Sequence, residues 1–185
     1  MIDFTIFDYI SFLWFLLCWG GYTIYSDGFG SRHGNLIGVM SYHRKQWMIS
    51  MLHRDNRMVD LQIVSNLLRN ASFFASTAIL IVAGLVTLLG ATDKAMALLD
   101  GIPYTIEASR QAWELKTVIL IVIFIYTFFK FAWAMRQLTY CSILIGTAKQ
   151  AKDIEETDFE IAKRAAEIAS KSALHANRGT RAYYF

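Results

Sequence analysis

The sequence predicts an all-α fold: a polytopic helical membrane protein with three transmembrane helices and long cytoplasmic helical extensions. Composition, three long apolar runs and the near-absence of helix breakers lead there. Of the 185 residues, 55% are hydrophobic and only 18% are charged, against about 45–50% and 25% in ordinary soluble domains. A helix crossing a hydrocarbon core of roughly 30 Å needs about 17–25 apolar residues, and three stretches have that form.

The first run, residues 6–25, is interrupted only by Asp8 and lacks a basic leader, so it is expected to be a permanent span rather than a cleaved signal. The second, Phe73 to Ala91, has no charge. The third, Thr117 to Met135, carries one, Lys130. Lysines and arginines in short flanking segments stay on the cytoplasmic side. Fourteen lie between the first two spans or after the third, whereas the connection between spans two and three holds Lys94, Arg110 and Lys116 among four acids. The N-terminus is therefore expected outside and the C-terminus in the cytoplasm.

The only proline is Pro103, and no glycine interrupts Gly38 to Gly84 or Gly101 to Gly146, so helices can run beyond the spans. A helix from Ile106 to Ile145 would be roughly 60 Å long. Before span two, a cytoplasmic amphipathic helix is expected over residues 39–70, with Trp47, Met51, Met58, Leu61 and Leu68 on one stripe that packs against the protein's other cytoplasmic helices or else meets the membrane surface or a partner helix. After a solvated linker, Thr157-Asp158-Phe159-Glu160 reads as a capping box opening a final alanine-rich helix over residues 157–176. In span two, Ser76, Ala83, Thr87 and Gly90 form a small-residue stripe suited to close helix approach.

The sequence carries few residues in chemically suggestive patterns. His33, His43, His53 and His175 all fall outside the spans, so paired haem ligands within the membrane are missing. Cys18 and Cys141 have no CxxC spacing and no cluster of ligating partners, and the hydrolase, phosphate-loop and zinc-protease signatures are absent. No cofactor, metal or nucleic acid is expected; the lipid bilayer is the first partner, with a second copy or other membrane proteins next. Lys130 lies about 9 Å from the inner edge of a 30 Å core, within reach of a snorkelling side chain. Asp8, near the outer end of the first run, reads as a solvated carboxylate.

The segments from Tyr42 to Leu85, from Trp113 to Gly146 and from His175 to Phe185 resemble the DUF599 family of uncharacterised membrane proteins. The most specific parts are Arg54-Asp55-Asn56-Arg57, Asn66 with Arg69, Phe129-Lys130-Phe131 with Arg136-Gln137, and Asn177-Arg178-Gly179. The resemblance implies a bacterial-type inner-membrane protein without an assigned reaction. It also implies a further hydrophobic helix after Tyr183-Tyr184-Phe185, so either the chain is truncated or this member dispenses with that span.

Two function classes follow. One is a non-enzymatic accessory or scaffold protein in which Arg54, Asp55, Asn56, Arg57, Asn66, Arg69, Lys130, Arg136, Asn177 and Arg178 form a polar network or partner surface. Either Arg54, Asp55, Asn56 and Arg57 form a solvated face, or one of the two arginines or Asn56 crosses to the extension of span three or to Asn177-Arg178 and closes that network. The other class is a small oligomeric transporter or channel using Lys130 and the same polar set at its inner mouth. An enzyme is a third class, without an identifiable nucleophile and base.

Overall fold

A computed structural model describes residues 6–25, 36–99 and 109–184, and all regular structure among them is helical. The helices are α1 (Ile6–Ile24), α2 (Leu36–Leu52), α3 (Met58–Gly90), α4 (Thr92–Leu99), α5 (Arg110–Thr147) and α6 (Glu156–Tyr184), with a 3₁₀ turn at Ala151–Asp153. Arg32, His33, Pro103, Ile106 and Phe185 lie outside the described residues, as does the side chain of Asp8.

Two helices, α3 and α5, are long and apolar enough to cross a membrane. The first run does form a helix, but its apolar part is Ile10–Tyr22, about 20 Å long at 1.5 Å per residue. By length and composition, two described helices rather than three therefore meet the requirement. Ser109 begins α5 by accepting a hydrogen bond from the Ala112 amide at 3.2 Å. With no glycine or proline before Gly146, the helix runs 38 residues, about 57 Å.

α3 and α5 lie antiparallel. Their alignment is fixed by Phe74 stacked on Phe131 with centroids 5.2 Å apart, and by Ser72 donating to the Met135 sulfur at 3.0 Å. Near the other end, Arg110 pairs with Asp93 of α4 at 2.9 Å. The close face of α3 is Ala71, Ala75 and Ala78, all buried. This corrects the expected stripe: Ser76, Ala83, Thr87 and Gly90 are exposed. Both faces offer small residues, but only the alanine face is in phase with Phe131.

α6 folds back along α5, also antiparallel. Cys141 faces the Ala165 carbonyl, the Ser172 hydroxyl donates to the Ala134 carbonyl at 2.9 Å, and Gly179 lies beneath the Phe131 ring. The buried seam is Ala162, Ala165, Ala166, Ala169, Ser172, Gly179 and Ala182; small side chains let the two helices approach closely. The helix is longer than expected, ending at Tyr184, with Tyr183 5.6 Å from Phe124.

α2 lies against α6, where Ser41 and Ser170 hydroxyls are 3.3 Å apart. Its Met48, Met51 and Leu52 enter one core with Val64, Leu138, Ile145 and the α6 alanines. The amphipathic helix expected over residues 39–70 is thus broken at His53–Arg57. After that break the apolar stripe changes phase: Met51 is fully buried, whereas Met58 is 74% exposed and Leu61 41% exposed.

Candidate functional site

The break between α2 and α3 gathers the polar residues. A helix through residues 53–57 would spread Arg54, Asp55, Asn56 and Arg57 around its circumference; as a turn, this segment can aim several of them inward. Asn56 Oδ1 accepts from the Met58 amide at 2.9 Å, an Asx turn that satisfies the first free N–H of α3. Arg57 crosses to the end of α5 and donates to the carbonyls of Ala148 at 2.6 Å, Ile145 at 3.3 Å and Lys149. Those carbonyls belong to the negative end of the helix dipole and need outside donors.

Asp158 completes the same junction from α6. Its Oδ1 accepts from the Lys149 amide and its Oδ2 from the Glu155 amide, both at 2.9 Å. These two backbone donors, Glu155 foremost, hold its carboxyl below the usual carboxylate value. The predicted capping box is therefore displaced. The acid three residues into α6 that reaches back is Asp158, not Glu160, and it serves the end of α5 at the same time. Lys149 pairs with Glu155, which raises the ammonium's pKa.

A second contact ties α2 to α3. Asp60, fully buried, accepts at Oδ1 from Trp47 Nε1 at 2.6 Å and from Arg54. An isolated buried carboxylate is costly, so this pair of donors anchors the start of α3 on α2. Arg57 and Asp60, spaced for an i, i+3 pair, go to different partners instead.

The remaining expected residues are not part of this junction. Asp55 and Arg69 are exposed, and Asn66 is an exposed acceptor for Gln62 at 3.2 Å. Lys130 lies over the Tyr126 ring at 4.9 Å, and Arg136 donates to the Tyr140 hydroxyl at 2.7 Å while covering the Trp133 ring. Asn177 is exposed, while Arg178 and Arg181 line a cavity of about 190 Å3 with Trp19 and Tyr126. Lys130 is 15 residues from Ile145, roughly 22 Å along α5. The ten residues therefore fall into a helix-end junction, a separate cationic group and an exposed remainder; the Asn177-Arg178 segment does not meet Arg57.

Sequence reasoning missed Trp47, Asp60, Asp158 and Ser172 as contributors. For Asp60 the available signal was an acid in the first turn of an otherwise apolar-faced helix. These groups join helices to one another through hydrogen bonds. Burial pushes the Cys141 thiol up to about 11, so it is protonated and a poor nucleophile at neutral pH. His175 is lowered, by burial first and then by Lys130 and Arg178. Among the described residues no group of three or more His, Cys, Asp or Glu side chains could hold a metal ion.

Fold and junction together define an all-helical protein in which two long apolar helices are clasped at one end by a helical layer and a polar staple. The family model described as a protein of unknown function, DUF599, matches residues 10–185, and the chain belongs to that family. No curated protein and no solved structure matches it.

Proposed function

We propose that this is a multi-pass inner-membrane protein acting as a non-enzymatic scaffold, with its N-terminus outside, the α5–α6 junction in the cytoplasm, and α2 with the first half of α6 as its partner-binding platform. The last turns of α6 run back beside span three, where Tyr183 meets Phe124. The observation that carries the reading is the junction of Arg57, Asp158 and the carbonyls at the end of α5, which ties the start of α3, the end of α5 and the start of α6 together. A membrane setting is supported by exposure. The most apolar windows of α3 and α5 are only 11% and 17% buried by the protein itself, whereas a core helix of a soluble protein would be largely covered. The basic residues flanking these helices favour the stated orientation. α1, with Asp8 near its outer end, completes three spans in this reading.

Two experiments test it. Single cysteines introduced at Lys94 and Asp55 into a chain lacking Cys18 and Cys141 should label with an impermeant maleimide from outside and only from the cytoplasm, respectively; the reverse pattern overturns the orientation. Purification from mild detergent should recover a stoichiometric membrane partner, lost when exposed residues of α2 and α6 are charge-reversed.

A small oligomeric transporter or channel is favoured by one observation, the grouping of Arg178, Arg181 and Tyr126 around a cavity beside Lys130. Anion flux into proteoliposomes separates the readings: a scaffold gives none above empty vesicles.

A further inference from the structure

A second cavity, of about 170 Å3, lies among α2, α3, α5 and α6 and is partly open to the surface. Its size is close to the roughly 150 Å3 of an engineered apolar cavity that binds benzene, so it can take a ring or a short length of acyl chain. Aromatic Phe74 and Phe131 close one part, small residues such as Ala173 form a wall, and Trp47 and Arg44 line it from α2. No aspartate or glutamate lines it.

Arg44 is the anomaly. It is only partly exposed, and burial lowers its pKa with no acidic neighbour to offset the effect. Among the described residues it makes no ion pair, in contrast to Arg54 and Arg110. A guanidinium offers five N–H donors in a planar fork that matches an oxyanion. Partly desolvated and without a counter-charge at the rim of an apolar cavity, it presents the complement of one ligand chemistry. We infer that the cavity binds an anionic amphiphile, with Arg44 holding its oxyanion head and the Phe74–Phe131 part receiving its apolar segment. A free fatty acid or an anionic phospholipid can supply that chemistry, and the site is independent of the scaffold role.

The test uses the full chain in nanodiscs of phosphatidylcholine, with Trp47 fluorescence as the readout and Trp47→Phe as the blank for the other tryptophans. One arm adds bromododecanoate, and a second replaces part of the lipid with phosphatidylglycerol carrying brominated chains. Saturable quenching of Trp47 is expected in at least one arm, and the responding arm identifies the source. Arg44→Gln should weaken binding by about tenfold or more, as loss of a charge-assisted contact does. Arg44→Lys should fall between the two, and Ala173→Leu should reduce occupancy by filling the wall. Melting temperature reports whether each variant is folded. If the variants do not fold, the wild-type chain still decides, because bromododecyltrimethylammonium should fail to compete. Equal quenching by cation and anion, no quenching in either arm, or folded Arg44→Gln binding like wild type overturns the inference.

Discussion

Arg57 and Ala148, 91 residues apart in the chain, are joined by a 2.6 Å hydrogen bond from the guanidinium to the carbonyl of the residue that caps the end of α5. One side chain from the start of α3 thereby does what a glycine cap or water does at most helix ends. Since it serves three carbonyls at once, a lysine cannot replace it: an ammonium has no planar fork and a different reach.

Arg57→Ala is therefore expected to destabilise by about 2 kcal/mol, the range for hydrogen bonds to a charged group, and Arg57→Lys to recover only part of that. Asp55→Ala, on an exposed neighbour, should be nearly silent. Thermal unfolding in a fixed detergent checks both; equal melting temperatures for Arg57→Ala and Asp55→Ala would remove the staple.

Asp158 makes the junction acid-sensitive. Its folded pKa is depressed below 3.8, so its contribution is fully present above about pH 4 and is lost as pH falls through the lowered folded value. Asp158→Asn offers one acceptor oxygen where two are used. It should lower stability at neutral pH and flatten the loss below pH 4, measured as melting temperature against pH.

The junction was only half legible in the sequence. That some member of Arg54, Asn56 and Arg57 would cross to the span-three extension could be argued from unlike polar residues crowded beside an apolar run. That the crossing needs a turn at residues 53–57 could not, because no proline or glycine marks it. The break follows from tertiary demand: α2 packs on α6 while α3 packs on α5, yet Met48, Met51 and Leu52 must share one core with Val64, and one straight helix cannot meet both. The long apolar helices were readable because lipid-like runs and absent breakers are local signals. The choice of the Ala71–Ala75–Ala78 face was not, since α3 offers small residues on two sides.

Arg54 and Asp60 give a test of coupling. Arg54→Ala leaves a fully buried carboxylate with the Trp47 indole as its remaining donor, and should cost about 1–2 kcal/mol, less than the 3–5 of a fully buried pair because Arg54 is 43% exposed. Adding Asp60→Asn should return part of that loss. A double-mutant cycle with no coupling would mean the pair contributes nothing beyond its separate residues.

Gly179 lies where α6 meets Phe131; a Cβ there would come within 2.9 Å of the ring. Phe131 is held by its stacking on Phe74, so a retreat from the new methyl group would disturb that pair. Overpacking costs about 1–3 kcal/mol and the helix gain of alanine over glycine returns about 1, so Gly179→Ala should lower stability by about 1 kcal/mol. Phe131→Leu in the same chain should reduce that penalty, measured by chemical or thermal unfolding.

Lys130 and His175 are linked electrostatically across α5 and α6. The imidazole is lowered from its ordinary 6.5 by burial and then by the positive charges of Lys130 and Arg178. Because the unfolded chain binds this proton more readily, the neutral ring's contribution is present above about pH 6.5 and is lost as pH falls through the lower folded value. Lys130→Met removes one of the two cations, so the His175 pKa should rise toward 6.5 without reaching it, burial and Arg178 being unchanged. Lys130→Arg should leave it near the wild-type value and be tolerated if the side chain merely reaches interfacial water. Selective labelling of histidine and NMR titration in detergent, with His175→Gln used to assign the resonance, measures the shift. A His175 pKa that stays put or falls in Lys130→Met would show that the ammonium points away from α6, toward the lipid headgroups.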